Sequence, residues 1–99
     1  MRIIALGTIR TFWERPANAE SERALRHWYE VARLADWSKP QDVKEQFRNA
    51  SILGDNRVVF NIAGNKYRLV VKFNYAWRIG YVRFIGTHAQ HDSIDAETV

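Results

Sequence analysis

The chain has no cysteine, which excludes disulfides and thiolate metal sites and fits a cytoplasmic setting. It has only two prolines and five glycines. They fall singly, as turn signals do, so no linker, repeat or low-complexity tract is expected. No apolar run approaches the roughly 20 residues that cross a bilayer, and no membrane partner is expected. The opening Met1-Arg2-Ile3-Ile4-Ala5-Leu6 is too short and too soon interrupted for a signal peptide. The 99 residues suit one domain over 1–99.

A more local absence concerns charge. The net charge is only +4. Between Asn56 and His91, however, there is no carboxylate, while Arg57, Lys66, Arg68, Lys72, Arg78 and Arg83 all fall there. A one-signed stretch inside folded structure attracts polyanions. The bland alternative is a set of solvated strand residues that keep a sheet edge from pairing. Aromatic residues are plentiful, with four Trp, five Phe and four Tyr. Their large buried areas make a small core feasible.

Helical spacing dominates the first half. Met1 to Leu6 reads as a short strand or a helix start, and Ile9, Phe12 and Trp13 then share one helical face. Arg15-Pro16 ends that segment, because a residue before proline avoids the α region. The clearest helix runs from Pro16–Asn18 to about Asp36, with Leu25, Trp28, Tyr29, Ala32 and Ala35 as its apolar stripe and Asn18 or Ser21 as cap. Pro40 starts a shorter helix anchored by Val43 and Phe47. Residues Asn49 to Asn56 read as a loop and turn.

The second half reads as sheet. Arg57 to Ile62 is a strand rich in β-branched residues, Gly64-Asn65 a hairpin turn tolerant of positive φ, and Lys66 to Phe73 the return strand. A second turn around Tyr75-Ala76-Trp77 leads to a third strand over Ile79–Ile85. Alternate strand residues face opposite ways. Tyr67, Leu69, Val71 and Phe73 therefore share an apolar face, which should take the long helix. Lys66, Arg68, Val70 and Lys72 share the other, which should be partly open, because unpaired buried cations are prohibitive. With Val82 and Phe84 assigned to the core, Tyr81 and Arg83 join Asn61, Lys66, Arg68 and Lys72 on a shallow basic surface. Cations beside an aromatic suit single-stranded RNA, whose phosphates need charge and whose bases need a stacking surface.

His27 lies in the long helix and reads as an ordinary surface histidine. His88 and His91 directly follow the last strand, three apart, and would share a face of a helical turn. Three readings stay open: a general acid and base near neutral pH, a metal site with Asp92, or exposed tail residues.

Several stretches carry a family resemblance: Val59-Phe60-Asn61-Ile62, Gly64-Asn65-Lys66-Tyr67-Arg68-Leu69-Val70-Val71, Arg83-Phe84-Ile85-Gly86-Thr87-His88-Ala89 and Asp92-Ser93-Ile94-Asp95-Ala96. Leu25, Trp28-Tyr29, Ala35-Asp36-Trp37 and Pro40 fit more loosely. Together they resemble the HigB family of toxins from type II toxin–antitoxin modules, within the RelE-like superfamily. The resemblance implies an α+β fold, a small antiparallel sheet with N-terminal helices packed on one face. It implies a ribosome-dependent mRNA endonuclease that blocks translation, with no metal or other cofactor. It also implies a cognate helix-turn-helix antitoxin of the HigA type. The chain departs from the family pattern at His91, where tyrosine is expected.

On this reading the RNA 2′-hydroxyl attacks the neighbouring phosphate. Arg68 clamps the phosphate, because a guanidinium grips two oxygens at once. Asn61, Lys66, Lys72, Tyr81 and Arg83 hold the strand, and His88 and His91 share the proton transfers. Two alternatives have other consequences: a ParE-like toxin that binds DNA gyrase without cutting RNA, and an RNA-binding module that has lost catalysis. Fold alone does not separate them.

Overall fold

A computed structural model describes residues 1–99. The chain forms a five-stranded sheet with three helices ahead of its main hairpins and a short helix after the last strand. The strands are β1 (Arg2–Ile4), β2 (Ser51–Ile52), β3 (Arg57–Ile62), β4 (Tyr67–Asn74) and β5 (Ile79–Thr87), in the order β1-β5-β4-β3-β2. The helices are α1 (Leu6–Glu14), α2 (Glu22–Leu34), α3 (Pro40–Gln46) and α4 (His88–Asp92). No helix is long and apolar enough to cross a membrane.

The sheet is mixed rather than purely antiparallel, because β1 pairs with β5 in parallel. Nothing local in Arg2–Ile4 announces that pairing, which depends on residues about 77 positions away in sequence (Arg2↔Ile79). The expected loop over Asn49 to Asn56 also contains the two-residue strand β2, paired with β3. Asp55 and Asn56 make the β2–β3 turn with φ of 55° and 59°. Short polar Asx side chains tolerate this left-handed conformation. In the β3–β4 turn it is Ala63 and Gly64, not Gly64 and Asn65, that take positive φ. Lys66 lies in that turn, and β4 begins at Tyr67.

The long helix starts later than its stripe suggests. Pro16–Ser21 forms a 3-10 turn, and the α-helix runs from Glu22. Ser21 makes no side-chain cap; its hydroxyl donates to the Asn18 carbonyl at 2.6 Å. Leu25, Trp28 and Ala32 are buried, with Tyr29 and Ala35 packed at the margin. Pro40 opens α3 as expected, and Val43 is fully buried.

The core lies between α2, α3 and the face of the sheet carrying Val58, Phe60, Leu69, Val71 and Phe73. Edge-to-face contacts connect Trp28 to Phe60 at 5.2 Å and Trp37 to Phe73 at 5.6 Å. Each such pair contributes about 0.5–1.5 kcal/mol beyond its area burial. The predicted apolar face of β4 is thus the face that takes the helices.

A register shift in β5 changes the third strand. Leu69 pairs with Ile85, Val70 with Phe84, but Val71 with Val82, so Arg83 is the extra residue of a bulge at Val70/Val71. Val82 and Ile85 consequently pack on the core. Phe84 does not: it shares the opposite face with Val70, contrary to simple alternation.

Candidate functional site

The register sets three rows on the face away from the helices: Arg57, Lys72 and Tyr81; Val59, Val70 and Phe84; Asn61, Arg68 and Gly86. This face is less open than the cation count suggests. Val59 and Val70 are buried, and so are Arg57 and Arg68, at 5% and 8% exposure. The two arginines are buried because they are partnered, which removes most of the cost of burying charge. Arg57 donates to Asp55 at 2.6 Å and through Nε and Nη2 to the main-chain oxygen of Val99. Arg68 donates to the carbonyls of Asn65 and Tyr67 and, at 2.6 Å, to Asn65 Oδ1.

Helix α4 completes one end of this face. Thr87 caps it in a reciprocal box: its hydroxyl accepts from the Gln90 main chain while Gln90 Oε1 accepts from the Thr87 main chain. The His88 N–H donates to the Lys66 carbonyl at 3.0 Å, tying the start of α4 to the loop that holds Arg68. The two elements that carry Arg68 and the histidines are therefore fastened to each other.

His91 packs against Phe84, with ring centroids 6.3 Å apart, and its Nε2 is buried without a hydrogen-bond partner. Burial, and then the Arg68 charge, push its pKa below the usual histidine value. His88 is more exposed. Its Nε2 stands 3.6 Å from Asp92 Oδ1, and His91 Nδ1 stands 3.9 Å from the same oxygen. Asp92 thus lies between the two imidazoles. The sequence marks Asp92 only as a possible metal ligand, although its position four after His88 and one after His91 is the signal for this placement. No group of three His, Cys, Asp or Glu side chains is arranged to hold a metal ion.

The remaining candidates separate from this cluster. Asn61 is exposed beside Arg68 in the ladder, with its amide 3.5 Å from the Asn49 carbonyl. Lys66 pairs with Glu20 at 3.2 Å. The Tyr67 hydroxyl donates to the same carboxylate, and burial, then Glu20, raises its pKa. Tyr67 is buried, as its parity indicated. Lys72, Tyr81 and Arg83 line a cleft at the other end of β4. The structure brings Arg68, His88 and His91 together, leaves Asn61 at their side and sets Lys72, Tyr81 and Arg83 apart.

The arrangement offers an anchored guanidinium, one imidazole held neutral and a second imidazole beside a carboxylate. Those are the parts that metal-free transfer at a phosphate ester requires. A family model described as HigB toxin, the RelE-like toxic component of a toxin–antitoxin system, matches residues 21–94. That span contains β2 to β5, α4 and every candidate residue, and leaves out β1 and α1. A search of curated proteins gives no match.

Proposed function

The chain belongs to the HigB family of RelE-like toxins of toxin–antitoxin systems, and we propose that it is an endoribonuclease that cuts mRNA on the ribosome. One observation carries the reading: the His88 N–H donates to the Lys66 carbonyl, which fastens the helix bearing His88 and His91 to the loop that holds the buried Arg68 guanidinium by three hydrogen bonds. A fixed cation beside a neutral imidazole suits a reaction in which a hydroxyl loses its proton next to a phosphate.

In the proposed step the 2′-oxygen attacks the adjacent phosphorus and the 5′-oxygen of the next nucleotide leaves, giving a 2′,3′-cyclic phosphate and a 5′-hydroxyl. His91, neutral near pH 7, takes the 2′-hydroxyl proton. Its Nε2 is buried, so the exchange runs through Nδ1, on the side of Asp92. His88, which is exposed, returns a proton to the leaving oxygen. Asp92, 3.6 Å from His88 Nε2 and 3.9 Å from His91 Nδ1, stabilises the positive charge that each ring carries when protonated. Arg68 holds the non-bridging oxygens as charge builds on them, a contribution that preorganised donors make strongly. Histidine at position 91 retains acid–base chemistry where the family pattern has tyrosine.

The family implies an antitoxin partner; a helix-turn-helix protein of the HigA type is the proposed one. The test of the activity is cleavage of a defined message in a purified translation system, with mass analysis of the fragments. Fragments ending in 2′,3′-cyclic phosphate, formed only when ribosomes translate and lost in His88→Ala, are expected. Intact message with translation blocked, or with gyrase inhibited instead, overturns the reading.

A further inference from the structure

The cleft at the far end of β4 has a volume of about 630 Å³, within the range of ligand sites. Its lining includes Lys72, Arg83, Tyr81, Asp55, Asn56 and Asn74. Lys72 is on the same face of β4 as Arg68, four residues on, or about 13 Å at strand rise. Tyr81 pairs with Lys72 across the ladder and is one of the few exposed large side chains. Trp77, in the turn that follows Asn74, is the most exposed of them at 76%.

The charges in the cleft are not those of a plain phosphate site. Lys72 and Arg57 both bond to Asp55 Oδ2, at 3.1 Å and 2.6 Å. Asp55 Oδ1 takes no hydrogen bond from the protein, although the carboxyl is exposed. Lys72, and then Arg57, hold the Asp55 pKa below its usual value, so this oxygen is an acceptor only. An ionised acceptor repels a phosphate but receives hydrogen bonds from the amino group of a base. A tyrosine beside it offers a stacking surface.

We propose that this cleft is a second RNA subsite, which takes one unpaired base of the strand bound at Arg68 and favours a base with an exocyclic amine over uracil. Tyr81 stacks on the base, Asp55 receives its amino group, and Arg83 and Lys72 hold the flanking phosphates at the rim. The inference rests on RNA being the ligand, as in the proposed function, but not on its being cut.

The test is fluorescence anisotropy of the full chain with 5′-fluorescein, 2′-O-methyl hexanucleotides, which bind without being cleaved. The set is all-uridine and its single substitutions by cytidine, adenosine or guanosine. At one position an amine-bearing base should bind about tenfold tighter than uridine. Tyr81→Ala should weaken all binding by about tenfold, the usual scale for one stacked base, while Tyr81→Phe retains it. Asp55→Asn should bring the bases to within about twofold of each other. Equal affinity for every base in the wild type, or wild-type binding by a folded Tyr81→Ala protein, overturns the subsite. Binding with this selectivity but no cleavage of the unmodified oligomers on ribosomes overturns only the nuclease reading. No binding by the wild type overturns the subsite and leaves the nuclease reading to the ribosome cleavage assay.

Discussion

Gly86 faces Arg68 across the β4–β5 ladder, and its missing side chain makes the room that α4 occupies. A Cβ built there would lie 2.6 Å from Phe84 Cζ and 2.7 Å from Gln90 Oε1. Gln90 Oε1 is the acceptor of the capping box. Gly86→Val should therefore displace α4 and the two histidines. Overpacking of this kind costs about 1–3 kcal/mol. Urea denaturation should show that loss, with cleavage down by more than tenfold. Unchanged stability and cleavage would mean that α4 does not depend on this contact.

Asn65 holds Arg68 through its side-chain oxygen as well as its carbonyl. Asn65→Ala removes one bond to a charged donor and keeps the other. Such a bond contributes about 1.5–3 kcal/mol. A stability loss of this order is expected in denaturant titration, along with weaker cleavage, and Asn65→Asp should recover much of both. Equal effects of the two substitutions would argue against an anchoring role.

His91 has a pKa below the ordinary histidine value because of burial first and Arg68 second. The unfolded chain then holds more protons than the folded one between the lowered value and about 6.5. Stability should rise with pH across that window, and be lost as pH falls through it. Proton NMR titration of the histidine resonances should place His91 below 6.5, and Arg68→Met should shift it upward. If His91 is the base, the acid limb of the cleavage profile follows its titration. A His91 pKa at or above 6.5 would remove the basis for that role.

Much of this architecture can be read from residue order. Parity along Tyr67–Phe73 separates the core face from the cationic face, and the stripe Leu25, Trp28, Ala32 identifies the helix that covers the first. The bulge at Val70/Val71 was not legible, because it depends on how β5 registers on β4. It turns Phe84 out of the core and against His91. Strand β1 is legible only as one of two readings of Met1–Leu6, because a three-residue edge is fixed by its pairing with β5. The candidate site was legible in type but not in grouping. Parity makes the cationic face partly open, but Arg57 and Arg68 on it are buried by partners from Asp55, Val99 and Asn65, contacts that spacing alone does not reveal. Lys66 looked like a strand residue but sits in a turn and pairs with Glu20.

In the proposed mechanism His88, with Arg68 and His91, cuts translated RNA. The most direct measurement is 5′-end mapping of an abundant message after induced expression of wild type and His88→Ala in a bacterial host. His88 is an exposed residue at the start of α4, so the variant should fold and reach the same level. New 5′ ends inside translated codons are expected with the wild type and none with the variant. New ends of equal strength from both proteins would contradict the site, and growth arrest with the message intact would contradict the nuclease itself.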